Sequence, residues 1–129
     1  MSTELTYLAW VTTLTALMWI PYILNMIMVR GLLDAVGYPE DPAALSPWAG
    51  RMKAAHANAI ENLAVFAALV LIAQASGISN TATVVACQVY LWTRVVHYLS
   101  YTARIPWVRT VAFAVGFGCQ MTLAWQILA

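Results

Sequence analysis

Apolar residues run along this chain in four long blocks, separated by short polar or Pro/Gly-bearing segments. The blocks cover about Leu5 to Val29, Met52 to Ala75, Thr81 to Tyr101 and Trp107 to Leu128. Each approaches or exceeds the roughly 20 residues a helix needs to cross a bilayer core. Between them lie a long loop from Arg30 to Gly50, a tight turn at Ser76-Gly77-Ile78-Ser79-Asn80, and another around Arg104-Ile105-Pro106. Short connections make consecutive helices antiparallel neighbours. The pattern therefore predicts an all-α, integral membrane, up-and-down four-helix bundle forming one domain over residues 1–129. Pro21 inside the first block predicts a kink there. No Lys or Arg precedes Arg30 and no small-residue cleavage site follows the first block, so it reads as a retained span rather than a signal peptide.

Composition agrees with a bilayer environment. Of the 129 residues, 63% are hydrophobic and only 9% charged, against about 25% charged in a soluble domain. A net charge of +1 without a basic stripe leaves no electrostatic footprint for nucleic acid. Cys87 and Cys119, the only cysteines, lie in apolar blocks without metal-ligand spacing and read as small buried residues. Five of the six basic residues, Arg30, Arg51, Lys53, Arg104 and Arg109, flank the first and third loops. The positive-inside rule then places loops 30–50 and 102–106 in the cytoplasm and both termini on the other side. Trp48 and Trp107 fall at those boundaries, where aromatic belts form.

The chemistry is concentrated where polar residues enter the apolar blocks. Arg51 to Asn62 passes without a turn residue into Leu63 to Ala75, carrying a carboxylate, two carboxamides and an imidazole toward the bilayer. Each costs about 2 kcal/mol or more unless paired. At about 100° per residue, Arg51, Asn58, Glu61 and Asn62 share one face and His56 points away from it. Tyr90, Arg94, His97, Tyr98 and Tyr101 likewise share a face of the third span. Glu61 and Arg94 both lie roughly 15 Å from the ends of their helices, which predicts an Arg94–Glu61 ion pair, with Asn58 level with His97. Such contacts serve either as interhelical glue or as the wall of a polar pocket, with Arg51, Arg104 and Arg109 at its rim offering bidentate forks for carboxylates. Arg109, Phe113, Gly116 and Gln120 share a face of the fourth span, with Thr110 beside Arg109; Gly116 and Gly118 read as close helix packing.

These residues resemble a known family. Arg51 to Asn62, in the pattern R-x-x-x-A-H-x-N-x-x-E-N, is followed by Arg94-x-x-His97-x-x-x-Tyr101 and Pro106-x-x-Arg109-Thr110. This order is similar to that of the membrane-associated proteins in eicosanoid and glutathione metabolism, MAPEG, in a bacterial-type form. The resemblance implies a homotrimer of four-helix subunits, with glutathione as co-substrate between neighbouring subunits on the cytoplasmic side and lipophilic small molecules arriving from the membrane lipids. It puts Arg51, Asn58, Glu61, Arg94, His97 and Tyr101 at glutathione-binding or supporting positions, and Arg109 and Thr110 at the catalytic ones, Thr110 standing where some members have a serine. A cation or hydroxyl donor there stabilises a thiolate, the nucleophilic form of the thiol. The chain departs from some members at Ala54 and Ala57, where they have arginine, at Val65, where they have proline, and at Phe113, where they have tyrosine.

Two functions are then expected to compete: a membrane-bound glutathione-dependent transferase or peroxidase acting on lipophilic electrophiles, and a non-catalytic lipid- or partner-binding membrane protein of the same fold. A b-type haem between His56 and His97 is disfavoured, because the two lie on differently directed faces. No metal site is expected.

Overall fold

A computed structural model describes residues 1–129. It is all-helical, in the order α1 (Thr3–Leu17), α2 (Trp19–Arg30), α3 (Leu32–Val36), α4 (Pro47–Ala75), α5 (Thr81–Thr102) and α6 (Pro106–Leu128). The four apolar blocks correspond to α1 with α2, α4, α5 and α6.

The first block is interrupted at Met18, one turn before the proline. Pro21 lacks an N–H, and its ring crowds the carbonyl four residues earlier, at Leu17. The Met18 amide bonds Thr15 O at 3.3 Å, while the Met18 carbonyl accepts the Tyr98 hydroxyl of α5 at 2.8 Å. The long loop is also more ordered than its composition predicts: α3 lies within it, and α4 begins at Pro47, so Trp48, Gly50 and Arg51 are helical. Proline suits the first helical position, where no N–H is needed, and Pro106 opens α6 in the same way. Asn80 and Thr83 cap α5 reciprocally.

Consecutive long helices run antiparallel, and α1 packs on α4 and α5 while α6 packs on α5 and α4; α1 and α5 therefore run in the same direction, as Glu4 beside Thr83 shows. Polar contacts pin both ends. At the end holding the termini, Ser2 bonds Gln74 and Asn80 bonds Gln126. There too the Glu4 carboxylate, 4% exposed, accepts the Ser79 and Thr83 hydroxyls at 2.7 and 2.8 Å. At the loop end Arg51 Nε donates to Thr102 O at 3.0 Å, and the Asn25 carboxamide donates to the Ser46 hydroxyl and accepts the Ser46 amide.

The interior contains Leu8, Val11, Phe66, Val70, Ala86, Cys87, Tyr90, Cys119 and Leu123. Phe66 and Tyr90 stack with centroids 3.8 Å apart. Gly116 lets α6 approach α5, since a Cβ there would stand 3.3 Å from Thr93 Oγ1. Much of the apolar bulk, including Trp10, Leu24, Met28, Leu71, Trp92, Leu99, Val111 and Trp125, faces outward, as a lipid-facing surface requires. Residues 3–30, 47–75 and 106–128 are long and apolar enough to cross a membrane. With 22 residues, α5 spans about 33 Å, but its buried face carries Thr83, Tyr90, Thr93, Arg94, His97 and Ser100. The most polar of the long helices is thus the one whose polar side chains the others enclose.

Candidate functional site

The buried side of α4 is a strip of small and apolar residues, Met52, Ala55, Ala59, Phe66, Val70 and Ala73. At 100° per residue Asn58 sits about 90° from the centre of that strip and Glu61 about 150°. Asn58 therefore flanks α5, half-buried, whereas Glu61 is exposed on the surface of the chain. The expected Arg94–Glu61 ion pair is not formed. Arg94, 3% exposed, instead donates from Nη2 to Asn58 Oδ1 at 2.8 Å and to His97 Nδ1 at 3.3 Å. Matching depth along the axis was insufficient, because the azimuth of Glu61 carries it away from α5.

Since guanidinium only donates, His97 Nδ1 must accept, which leaves its proton on Nε2. His97 is 2% exposed, with its ring between Tyr101, at 5.6 Å, and Phe113, at 6.3 Å. The network continues behind Asn58. Asn62 Nδ2 donates to Asn58 O at 2.9 Å and to Asn58 Oδ1 at 3.3 Å, and Gln120 Nε2 donates to Asn62 O at 3.2 Å. Arg94 Nε and Tyr90 OH are buried without a hydrogen-bond partner. The two groups lie one turn apart on α5.

Three helices converge in front of this network. Asn58 of α4, His97 and Tyr101 of α5, and Arg109, Thr110 and Phe113 of α6 line an open cavity of about 300 Å³. The Arg109 guanidinium carbon lies 4.9 Å from the centre of the Tyr101 ring, a cation–π arrangement that holds the charge at the cavity wall. Thr110 donates its hydroxyl to Pro106 O at 2.9 Å, so that proton is already engaged. The cavity offers a fixed cation, an amide and an imidazole.

Of the residues expected at the site, Asn58, His97, Tyr101, Arg109 and Thr110 are brought together, and Arg94 stands directly behind them. Arg51 and Glu61 are not. Arg51 lines a second concavity of about 260 Å³ beneath the α5–α6 turn, with Ser100, Tyr101, Arg104, Ile105, Pro106 and Arg109. Tyr101 and Arg109 form the partition between the two cavities. His56, expected away from the polar face, shares a 2.7 Å hydrogen bond between its Nδ1 and the Tyr22 hydroxyl of α2. The sequence reading missed the Asn25 and Tyr22 contacts that dock α2, although a lone Asn in the apolar run Ile23 to Val29 was a signal for one.

Comparison with known proteins places this geometry in context. The model of the family described as "MAPEG family" matches residues 7–129. Microsomal glutathione S-transferase 1 of Rattus norvegicus is 28% identical over 79 residues, which cover 60% of this chain and 51% of the relative. The same protein of Bos taurus is 27% identical and that of Mus musculus 28%, each over 60% of this chain and 51% of the relative. The chain thus spans about half the length of the curated relatives it matches. No solved structure matches.

Proposed function

The chain belongs to the MAPEG family, and on that premise we propose that it is a membrane-bound glutathione-dependent transferase or peroxidase acting on lipophilic electrophiles. The observation that carries this reading is the convergence of Asn58, His97, Tyr101, Arg109 and Thr110 on one cavity, with Arg94 locked to Asn58 behind it. Similarity to microsomal glutathione S-transferase 1 supports the co-substrate.

In this reading glutathione occupies the 300 Å³ cavity. Arg109 stabilises its thiolate electrostatically and so increases the nucleophilic fraction near neutral pH. Thr110, with its proton on Pro106 O, contributes less. With an aryl halide, the thiolate forms the new C–S bond and halide departs with the electron pair of the broken bond. With a hydroperoxide, two glutathiones are oxidised to the disulfide while the peroxide is reduced to an alcohol and water. Asn58, His97 and Tyr101 orient the tripeptide, Arg94 holds Asn58 in place, and Arg51 supports the site by tying α4 to the end of α5.

The active form is a homotrimer. Glu61 is exposed on an α4 face that also exposes Ala54, Ala57, Ala64 and Ala68. A carboxylate facing lipid is costly, whereas small residues let a neighbouring helix approach closely. A neighbouring subunit therefore covers this face, and Glu61 meets the amine of a glutathione held between subunits. The loop end faces the cytoplasm, where the tripeptide is supplied, and both termini lie on the opposite side.

The alternative is a non-catalytic lipid- or partner-binding protein, favoured by the engaged Thr110 hydroxyl and by Phe113, which brings no hydroxyl to the cavity. Isothermal titration of detergent-solubilised protein with glutathione, followed by turnover of a generic aryl halide and a lipid hydroperoxide, separates the readings. Binding with turnover of either substrate supports the transferase or peroxidase. Binding without turnover supports the alternative, and no binding at millimolar glutathione removes the leading reading.

A further inference from the structure

The second concavity, beneath the α5–α6 turn, is walled by Arg51, Arg104 and Arg109 and contains no acidic residue. Arg51 spends its Nε on Thr102 O, and Arg109 lies over Tyr101. That contact is to the ring, and it leaves N–H donors of the Arg109 guanidinium available to an acceptor. Arg104 is the telling member. It is the only non-glycine residue with a positive φ, at 62°, and it sits where the chain turns from α5 into α6 through Arg104 N to Tyr101 O and Ile105 N to Ser100 O. Glycine is the unstrained choice at such a helix end. An arginine held in this conformation at a concavity it shares with two other arginines is a candidate for function, since strain of this kind persists where it serves a site. Three arginines lining one concavity with no acidic residue among them leave like charges uncompensated within the chain.

We infer that this concavity is an oxyanion site that holds the phosphate of an anionic phospholipid. The guanidinium fork matches phosphate oxygens, and basic pockets at the ends of membrane helices recognise lipid headgroups. A lipid fits better than a free anion because of what adjoins the site. Ile105 and Trp107 are exposed beside it, Trp107 at 80%. From Trp107 an apolar groove of about 490 Å³ runs between α5 and α6 along Val96, Val108, Val111 and Val115. A headgroup at Arg104 would leave its acyl chains alongside that groove.

Native mass spectrometry of the detergent-solubilised protein tests this with equimolar dioleoyl phosphatidylglycerol and dioleoyl phosphatidylcholine. The unmodified protein should retain the anionic lipid by about fivefold or more. Arg104→Gly should reduce that preference to within about twofold while raising the thermal midpoint, because glycine relieves the turn. Arg104→Lys should keep most of the preference, and Arg104→Gln is the second variant should the glycine form fold poorly. Glutathione affinity, read by titration of Arg104→Gly, should stay unchanged. Equal retention of the two lipids, or a preference unaltered by removing Arg104, overturns the proposal. Displacement of phosphatidylglycerol by millimolar inorganic phosphate would assign the site to a free oxyanion, and displacement by glutathione would assign it to the thiol ligand. Either result overturns the lipid assignment independently of whether glutathione is turned over.

Discussion

Replacing Asn58 with Ala removes the better of the two acceptors Arg94 has. Arg94 Nη2 would lose its 2.8 Å bond to Asn58 Oδ1 and keep only the 3.3 Å contact to His97 Nδ1, while its Nε has no partner to begin with. A hydrogen bond to a charged group contributes about 1.5–3 kcal/mol. Arg94 is 3% exposed, so the lost amide can be replaced only by water entering from the cavity that Asn58 lines. Asn58→Ala should therefore cost about 2–3 kcal/mol. Asn62 also loses its 3.3 Å bond to Oδ1 but keeps the one to the Asn58 carbonyl, a smaller effect. Arg94→Met fills similar volume and removes the charge that needs the acceptor, so in that background Asn58→Ala should cost only about 1 kcal/mol. The coupling between the two changes should thus be about 1–2 kcal/mol, whereas Glu61→Gln with Arg94→Met should be additive within about 0.5 kcal/mol. The assay is reversible unfolding in mixed micelles, followed by far-UV circular dichroism, for all single and double variants. Additivity of Asn58→Ala with Arg94→Met, or strong coupling of Arg94 to Glu61, would refute the assigned partner.

Arg109→Ala should lower the ultraviolet thiolate signal of bound glutathione at neutral pH by about tenfold, while Thr110→Val changes it by less than about threefold; equal losses would shift the role toward the hydroxyl. Gly116→Leu should destabilise the α5–α6 contact by about 1–3 kcal/mol through overpacking against Thr93 and Tyr90, read as a lower thermal midpoint, and an unchanged midpoint would mean the two helices are not in close contact there. Glu4→Ala should cost about 2 kcal/mol, because the buried hydroxyl of Thr83 and that of Ser79 lose their carboxylate acceptor; a neutral effect would deny the pin at that end. Ser76→Cys, in a background with Cys87 and Cys119 changed to Ala, should react with an impermeant maleimide applied outside intact cells, and labelling only after permeabilisation would reverse the proposed orientation.

The all-helical architecture was legible from the apolar blocks because backbone hydrogen bonding leaves a bilayer-spanning segment little alternative to a helix. Length and hydropathy therefore determined α5 and α6 almost to their ends and the far end of α4, which begins five residues before the predicted Met52, and Pro21 announced the break in the first block. The break lies at Met18 rather than at the proline, since a proline disturbs the carbonyl one turn before it. The polar residues of the site could also be read, because charges and amides in an apolar run need partners. Which partner each one takes was not in the sequence. Glu61 and Arg94 match in depth and in charge, yet Arg94 is bound to Asn58 and His97, because the rotation of α4 about its own axis is set by how Ala55, Ala59 and Phe66 pack against the rest of the bundle. Height along the axis separates Arg51 from Asn58, which share a helical stripe two turns apart and so line different cavities. Periodicity gives the relative azimuth of residues on one helix; only the packing of small and large side chains between helices decides the absolute azimuth of each. The same holds for Arg104, whose left-handed backbone and place beside Arg51 and Arg109 come from the way the α5–α6 turn closes in three dimensions.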